Sequence, residues 1–191
     1  MIFKETRLQG AYVIKVEKRE DERGSFARSF CLQEFAEHGL QASIVQCSYS
    51  FNKKKGTFRG MHYQVAPYAE DKIVSCTHGA ILDFIVDLRV GSKTFGQCEQ
   101  FELSEAGGTI LYVPKSFAHG FLTLTDNSQV FYQMTQYHKP DYARGFRYND
   151  PAFNISILHE IKVVGDRDKN YPDFNYDQLF VNSILHELDL H

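Results

Sequence analysis

The sequence predicts an all-β fold: one β-sandwich or barrel with a few short helices and a C-terminal helix. Short apolar runs separated by turn residues dominate the chain, and helical periodicity is rare outside the C-terminal tail. Many short strands joined by regular turns are typical of sandwiches and barrels. The length of 191 residues suits one substantial core rather than two, so residues 1–191 are expected to form a single domain.

The clearest strand lies at residues 81–88, where the even-numbered residues are apolar and share one face. Asp83 and Asp87 lie on its other face. Further strands are predicted at 100–103, 109–113 and 130–134, where turn residues or a proline bound the apolar runs.

Two helices are expected. A short amphipathic turn over Leu32, Phe35 and Ala36 ends at Gly39, a typical helix C-terminus. In the tail, residues 175–190, apolar residues at helical spacing follow Asn175, a typical N-cap.

The composition argues against several classes of partner and site. With 43% hydrophobic residues, 24% charged residues and a net charge of -3, the chain resembles an ordinary globular protein. It lacks the excess positive charge that is typical of nucleic-acid-binding proteins. No apolar run approaches membrane-spanning length, so no membrane partner and a cytoplasmic location are expected. The four cysteines form no CxxC pair, which favours reduced thiols over structural zinc or disulfides.

The most informative segment is Arg59-Gly60-Met61-His62-Tyr63-Gln64, followed by Lys72. It places one histidine between two cations in a predicted strand. Histidine can move a proton near neutral pH, and fixed cations suit an anionic substrate or an oxyanion. A histidine in a strand is more often a hydrogen-bonded structural residue, so both interpretations stand at this point.

Four further residues are open to the same two interpretations. The turn after Pro114 delivers His119 to the next predicted strand, where it is either a core histidine or a second cavity residue. On spacing alone, Tyr132 is a core aromatic, Asp168 a solvated loop carboxylate and Arg23 a surface charge in a turn.

A metal site is disfavoured. Metal-binding barrels usually carry a His-x-His pair or a third ligand at matching spacing. Here Tyr63 and Gln64 follow His62, so the second ligand of such a pair is absent. We predict no metal and no cofactor.

Taken in order, the motifs resemble the dTDP-4-dehydrorhamnose 3,5-epimerase family. They run with little interruption from about residue 20 to 172 and include the segments 21–26, 56–64, 67–72, 84–89, 94–96, 113–121, 144–145, 149–151 and 168–170, together with Tyr132. The resemblance implies a cupin-type jelly roll, a likeness in activity to enzymes that epimerise nucleotide-diphosphate 4-keto sugars, a homodimer and no metal requirement.

The resemblance also implies residue roles. His62, polarised by Asp168, would be the base; Tyr132 would be the acid on the opposite face; Lys72 would stabilise the enolate oxygen. Arg23 and Arg59 would hold the diphosphate. The remaining expected substrate contacts are Phe26, Arg28, Gln46, Ser48, His119, His138 and Arg167.

Several positions depart from the family pattern. Arg28 stands in place of a usual Glu, Ser48 of an Asn, Gln133 of a Lys, His138 of a Tyr, Ala143 of an acidic residue and Tyr148 of a Trp. Because the proton-transfer residues are intact, these changes suggest another nucleotide, with GDP or CDP the candidates, or another 4-keto sugar. The alternatives are an epimerase acting at C3 or C5 only, a non-catalytic sugar-nucleotide-binding cupin and, third, a metal-dependent cupin enzyme.

Overall fold

A computed structural model describes residues 1–177 and consists mainly of two β-sheets. The first sheet has the order β1 (Ile2–Glu5), β2 (Tyr12–Lys15), β10 (Thr109–Val113), β7 (Lys72–His78), β12 (Ser128–Met134) and β5 (Gln46–Asn52). The second has the order β13 (Ala143–Gly145), β6 (Thr57–Gln64), β11 (Phe117–Thr123), β8 (Ala80–Asp87) and β9 (Cys98–Ser104), with β14 (Val163–Val164) pairing β6. The prediction of an all-β fold is confirmed.

Apolar residues of both sheets meet in the barrel interior. The first sheet contributes Val74, Leu111 and Val130, and the second contributes Ile85 and Phe121. Each sheet is also covered on its outside, the first by helix α1 (Leu32–Glu37) and the second by the segment 146–174. Three apolar layers therefore pack against the two sheets, and the outer face of β5 stays exposed at Tyr49 and Phe51.

The predicted strands lie where the sequence placed them, at β8, β9, β10 and β12. Helix α1 also ends as predicted: Gly39 has a φ of +70°, and its amide donates to the Ala36 carbonyl. The predicted tail helix lies almost entirely outside the described residues. Within them, the Asn175 side chain accepts a hydrogen bond from the Asp177 amide at 2.9 Å, as expected of an N-cap.

Two short helical elements complete the described chain, a 3₁₀ turn at Pro140–Tyr142 and α2 (Asp166–Lys169). No helix in this part of the chain is both long and apolar enough to cross a membrane.

A close approach of β6 and β11 sets the geometry of the interior. Gly60 has a φ of +122°, and a Cβ at this position would lie 2.5 Å from the Gly120 Cα. Two residues further along β6, His62 stands opposite His119 in the ladder. Only glycine allows this spacing, so the backbone brings the two histidines side by side.

A separate hairpin of β3 (Arg19–Asp21) and β4 (Gly24–Phe26) pairs with neither sheet. All six of its strand residues are exposed. The turn at Asp21-Glu22-Arg23-Gly24 forms as the sequence predicts.

Candidate active site

One part of the barrel interior is polar, and both sheets contribute to it. By register, the inward positions carry Gln46, Ser48, Ser50, Asn52, Lys72 and Tyr132 from the first sheet and Arg59, His62, Asp83 and His119 from the second. Most of these residues were predicted as site residues. Their strands lie far apart in the sequence, and sheet pairing brings them together.

His62 forms the first histidine–carboxylate pair. Its Nε2 lies 2.7 Å from Oδ1 of Asp168, and the Gly60 amide donates to the other carboxylate oxygen at 3.0 Å. Burial acts to raise the pKa of Asp168, but the bonds from His62 and Gly60 prevail and hold this pKa below its usual range. The interpretation of Asp168 as a solvated loop carboxylate is wrong, because α2 carries the side chain into a buried position beside His62.

Lys72 lies beside His62 in a cavity of about 180 Å³ that is also lined by Glu70, His138, Ala143, Arg144 and Arg167. Its Nζ contacts Glu70 Oε1 at 3.1 Å, and the Gln64 amide donates to the other oxygen of Glu70 at 3.1 Å. An ammonium has three donors, so Lys72 keeps donors for a bound anion.

His119 forms a second pair with Asp83, with 2.8 Å between Nε2 and Oδ2. The ring of Tyr132 stands edge-on to the His119 ring, with 6.0 Å between their centroids. Burial raises the pKa of Tyr132, and the charge of Asp83 raises it further, while Ser50 and Arg59 oppose the shift. Tyr132 is therefore held in its protonated form.

Arg59 is held in place by Asn52. Its Nε donates to Asn52 Oδ1 at 2.7 Å, and the Asn52 amide donates to the Ser50 hydroxyl at 3.1 Å. Gln46 accepts a hydrogen bond from the His138 backbone amide at 3.1 Å, and Ser48 lies directly opposite Tyr132. These residues line the interior as expected.

Three expected substrate contacts are not brought to His62 within one chain. Arg23 lies in the hairpin, with its side chain 85% exposed and paired with Asp21. Phe26 and Arg28 line a different surface cavity, where Arg28 binds Glu34 at 2.7 Å. The expected contacts of these three residues with substrate stay predictions.

Other departures from the family pattern fall in different places. His138 and Ala143 line the His62 cavity, so they can affect a ligand there. Tyr148 packs against Phe58 in the outer apolar layer, 5.2 Å between ring centroids, so this departure concerns packing.

Sequence reasoning missed Asp83, Glu70 and Asn52 as site residues. The alternation at residues 81–88 was correct, but the face that carries Asp83 is the barrel interior. A carboxylate amid a run of apolar strand residues was the available signal, because such a group requires a buried partner.

Metal ligands do not converge in the described residues, where no group of three or more His, Cys, Asp or Glu side chains could hold an ion. The polar residues are instead arranged as two histidine–carboxylate pairs, a tyrosine and several cations. Such a set can remove a proton, return one and bind an anion.

Comparison with known proteins shows what this arrangement resembles. The family model described as dTDP-4-dehydrorhamnose 3,5-epimerase matches residues 5–176. A dTDP-4-dehydrorhamnose 3,5-epimerase of Sinorhizobium fredii (strain NBRC 101917 / NGR234) is 37% identical over 173 residues, covering 90% of this chain and 89% of that protein.

Two solved structures extend the likeness to the fold. The dTDP-4-dehydrorhamnose 3,5-epimerase of Bacillus anthracis, with TDP and PPi bound, matches with a TM-score of 0.87 at 34% identity, covering 91% of this chain and 100% of that chain. A 3'-monoepimerase of Streptomyces bikiniensis in complex with dTDP-quinovose matches with a TM-score of 0.82 at 28% identity, covering 88% and 85%. These matches confirm the cupin-type β-sandwich.

Proposed function

This chain belongs to the dTDP-4-dehydrorhamnose 3,5-epimerase family, and we propose that it inverts C3, C5 or both in a nucleotide-linked 4-keto-deoxy sugar through an enolate. It is an isomerase of the nucleotide-sugar epimerase class. A 4-keto group acidifies the C–H bonds on its flanking carbons, and removing one proton leaves negative charge on O4. The observation that carries the proposal is that His62 with Asp168, Lys72 and Tyr132 surround one polar interior.

His62 is the proposed base. When its Nε2–H donates to Asp168, the ring keeps its lone pair on Nδ1, where it can accept a proton from carbon. The lowered pKa of Asp168 keeps that carboxylate ionised, which increases the basicity of the ring.

Lys72 is the proposed partner of the enolate oxygen. A cation near O4 stabilises charge that exists only after the proton has left, so it lowers the barrier of that step. The bond to Glu70 fixes the position of the ammonium, and its side chain is only 12% exposed, so little water screens it.

Tyr132 is the proposed acid. Inversion requires that the proton return to the opposite face of the carbon, so the acid and the base must be different residues. His62 belongs to the second sheet and Tyr132 to the first, and a sugar between the sheets would have one on each side. The raised pKa of Tyr132 keeps its proton available.

The positively charged side chains near the cavity are suited to bind the negatively charged diphosphate. Arg59, fixed by Asn52, and Arg167, which lines the His62 cavity, are proposed to bind it. Gln46, Ser48, His119 and His138 are proposed to line the substrate.

We further propose a homodimer of single-domain chains in which the hairpin of one subunit completes the site of its partner. Within one chain, the hairpin leaves Arg23 85% and Phe26 75% exposed. Edge strand β5 also presents an outward apolar face, with Tyr49 70% and Phe51 47% exposed. A long exposed edge with apolar side chains is typical of an association surface.

Subunit complementation tests this arrangement. Arg23→Ala and His62→Ala chains are each expected to be strongly impaired, but their co-expressed mixture should regain activity. If the hairpin crosses between subunits, one site of each mixed dimer has both native residues. A mixture no more active than its components would contradict the crossing.

The nucleotide is a finer question, and we propose a base other than thymine, with guanine or cytosine as candidates. His138 and Ala143 support this proposal because both line the cavity and depart from the family pattern. Arg28 supports it less within one chain, because Glu34 occupies its guanidinium. A cytoplasmic location is also proposed, in keeping with four free cysteines.

The main test is the reaction of the full chain in D₂O with 4-keto-6-deoxyglucose linked to dTDP, GDP or CDP. Proton NMR should show exchange at C3, C5 or both, followed by an inverted product. Exchange at a single carbon would select an epimerase like the 3'-monoepimerase relative. Tight binding without exchange would select a non-catalytic binding protein and contradict the proposal.

A tyrosine variant separates the two half-reactions. Tyr132→Phe should impair inversion by about 10²–10⁴-fold while exchange falls less, because the base still acts. Tyr176→Phe is the matched control, since this tyrosine packs on Phe174 outside the barrel interior and its hydroxyl donates to the Ala152 carbonyl. Equal loss of exchange and inversion in Tyr132→Phe would contradict the assignment of the acid.

A further inference from the structure

The roles above give His119 only a place in the lining of the site and give Asp83 no function. The side chains of His119 and Asp83 are 5% and 0% exposed, and the pair lies directly beside the proposed acid. The backbone ladder already joins β8 to β11 from Phe117 to Thr123, so these strands do not need a side-chain bond to associate.

Only one of the two carboxylate oxygens of Asp83 has a hydrogen-bond partner in the described residues. Oδ2 meets His119, but Oδ1 is buried and has no hydrogen-bond partner in the described part of the chain. An ionised carboxylate in a dry interior is costly unless a charge compensates it. A protonated His119 supplies that charge and makes the pair neutral overall.

Other charged and titratable groups face the pair from the neighbouring strands. His62 stands opposite His119 on β6, which also carries Arg59; Lys72 lies on β7 and Tyr132 on β12. Lys72 and Arg59 already have partners in Glu70 and Asn52. His119 is therefore the cation in direct contact with Asp83, and its ring also meets Tyr132 edge-on.

We propose that Asp83 is a positioning residue for the return of the proton: it keeps His119 protonated, and the imidazolium stabilises the phenolate that forms on Tyr132. This role rests on the proposed function. In the step, the Tyr132 O–H bond breaks and its electron pair stays on the phenolate oxygen. The enolate electron pair forms the new C–H bond, and the 4-keto group is restored without oxidation or reduction.

The ratio of inversion to exchange, measured across neutral and mildly acidic pH, tests this role. In Asp83→Asn, inversion should fall about 10-fold or more at neutral pH, while exchange falls much less. The ratio of inversion to exchange should recover as the pH is lowered, because acid can supply the imidazolium without the carboxylate, and the ratio cancels any loss in the removal of the first proton. A structural loss alone would not produce this recovery.

Two further variants complete the design. Asp168→Asn should lower exchange and inversion together and leave their ratio unchanged. His119→Gln, whose amide can still donate to Asp83 but carries no charge, should show the low ratio at every pH. It also tests the role if Asp83→Asn does not fold.

The outcomes are distinguishable. Wild-type protein that neither exchanges nor inverts the substrate overturns the proposed function itself. Normal wild-type activity, with a wild-type ratio at every pH in Asp83→Asn or in His119→Gln, overturns only the role of Asp83.

Discussion

The two histidine–aspartate pairs of this barrel contain the same residue types in very different surroundings. The His62 side chain is 42% exposed and that of Asp168 10%, whereas those of His119 and Asp83 are 5% and 0% exposed. Both oxygens of Asp168 accept hydrogen bonds, but only one oxygen of Asp83 does within the described residues.

The difference in burial and hydrogen bonding shifts the pKa values of the two carboxyl groups in opposite directions. Burial raises the pKa of Asp83 despite the opposing effect of His119, while hydrogen bonding outweighs burial and lowers the pKa of Asp168. The His62 ring is open to solvent, as the proposed base must be. The His119 ring is shielded from water, as the proposed positioning role of Asp83 requires.

The largest expected effect is the loss of C–H exchange when His62 of the exposed pair is removed. His62→Ala is expected to reduce exchange of sugar C–H protons with D₂O by about 10²–10⁴-fold, because the base is gone. The matched control is His78→Ala, since His78 also pairs with a carboxylate, Glu105 at 3.1 Å, but both side chains are more than half exposed. Wild-type exchange in His62→Ala, or an equal loss in His78→Ala, would remove His62 as the base.

The next largest effect should be on the free energy of unfolding, which we expect to differ between variants of the two carboxylates. Asp83→Asn breaks a fully buried pair and should lower the free energy of unfolding by about 3–5 kcal/mol. Asp168→Asn should cost less, about 1–2 kcal/mol, because His62 can turn to water. Urea unfolding of both variants at neutral pH measures the two costs, and equal costs would contradict the contrast in burial.

The same measurement at falling pH should give opposite trends. The pKa of Asp168 is lowered in the folded state, so its contribution is present above its unfolded pKa of about 3.9 and disappears as the pH falls through the folded value. The pKa of Asp83 is raised, so its titration favours the wild-type fold as the pH falls. The gap to wild type should therefore shrink for Asp168→Asn and widen for Asp83→Asn.

The smallest expected effect concerns the nucleotide, whose proposed contacts His138 and Ala143 belong to neither pair. GDP or CDP should bind more tightly than dTDP or UDP in calorimetric titration, because an acidic residue and a tyrosine of the family pattern are absent at Ala143 and His138. A preference for dTDP above about 1.4 kcal/mol, or tenfold, would return the thymidine nucleotide as the substrate.

Much of the fold could be predicted because alternation and turn residues are local signals. The strand prediction at 109–113 matches β10, and the helix end at Gly39 is correct. The pairing of His62 with Asp168 could not be derived locally, since the two residues are 106 positions apart in the sequence. The resemblance supplied that pairing, and the structure places the two side chains in contact.

Asp83 and Arg23 show what local patterns leave open. An alternating strand indicates two faces but not which of them meets water, and here the segment 146–174 covers the apolar face while Asp83 points into the barrel. Arg23 is a surface charge within one chain, as its turn suggests. A role that depends on a second subunit leaves no local pattern.

The glycine contact between β6 and β11 has a practical consequence for anyone who redesigns this enzyme. A side chain at Gly60 would strike the Gly120 backbone, and one at Gly120 would lie 2.7 Å from the Met61 sulfur. Substitution at either glycine would spread the strands that carry both histidines. Libraries aimed at new sugars should therefore keep both glycines and diversify positions such as Gln46 and Ser48, which face the barrel interior from β5 of the opposite sheet.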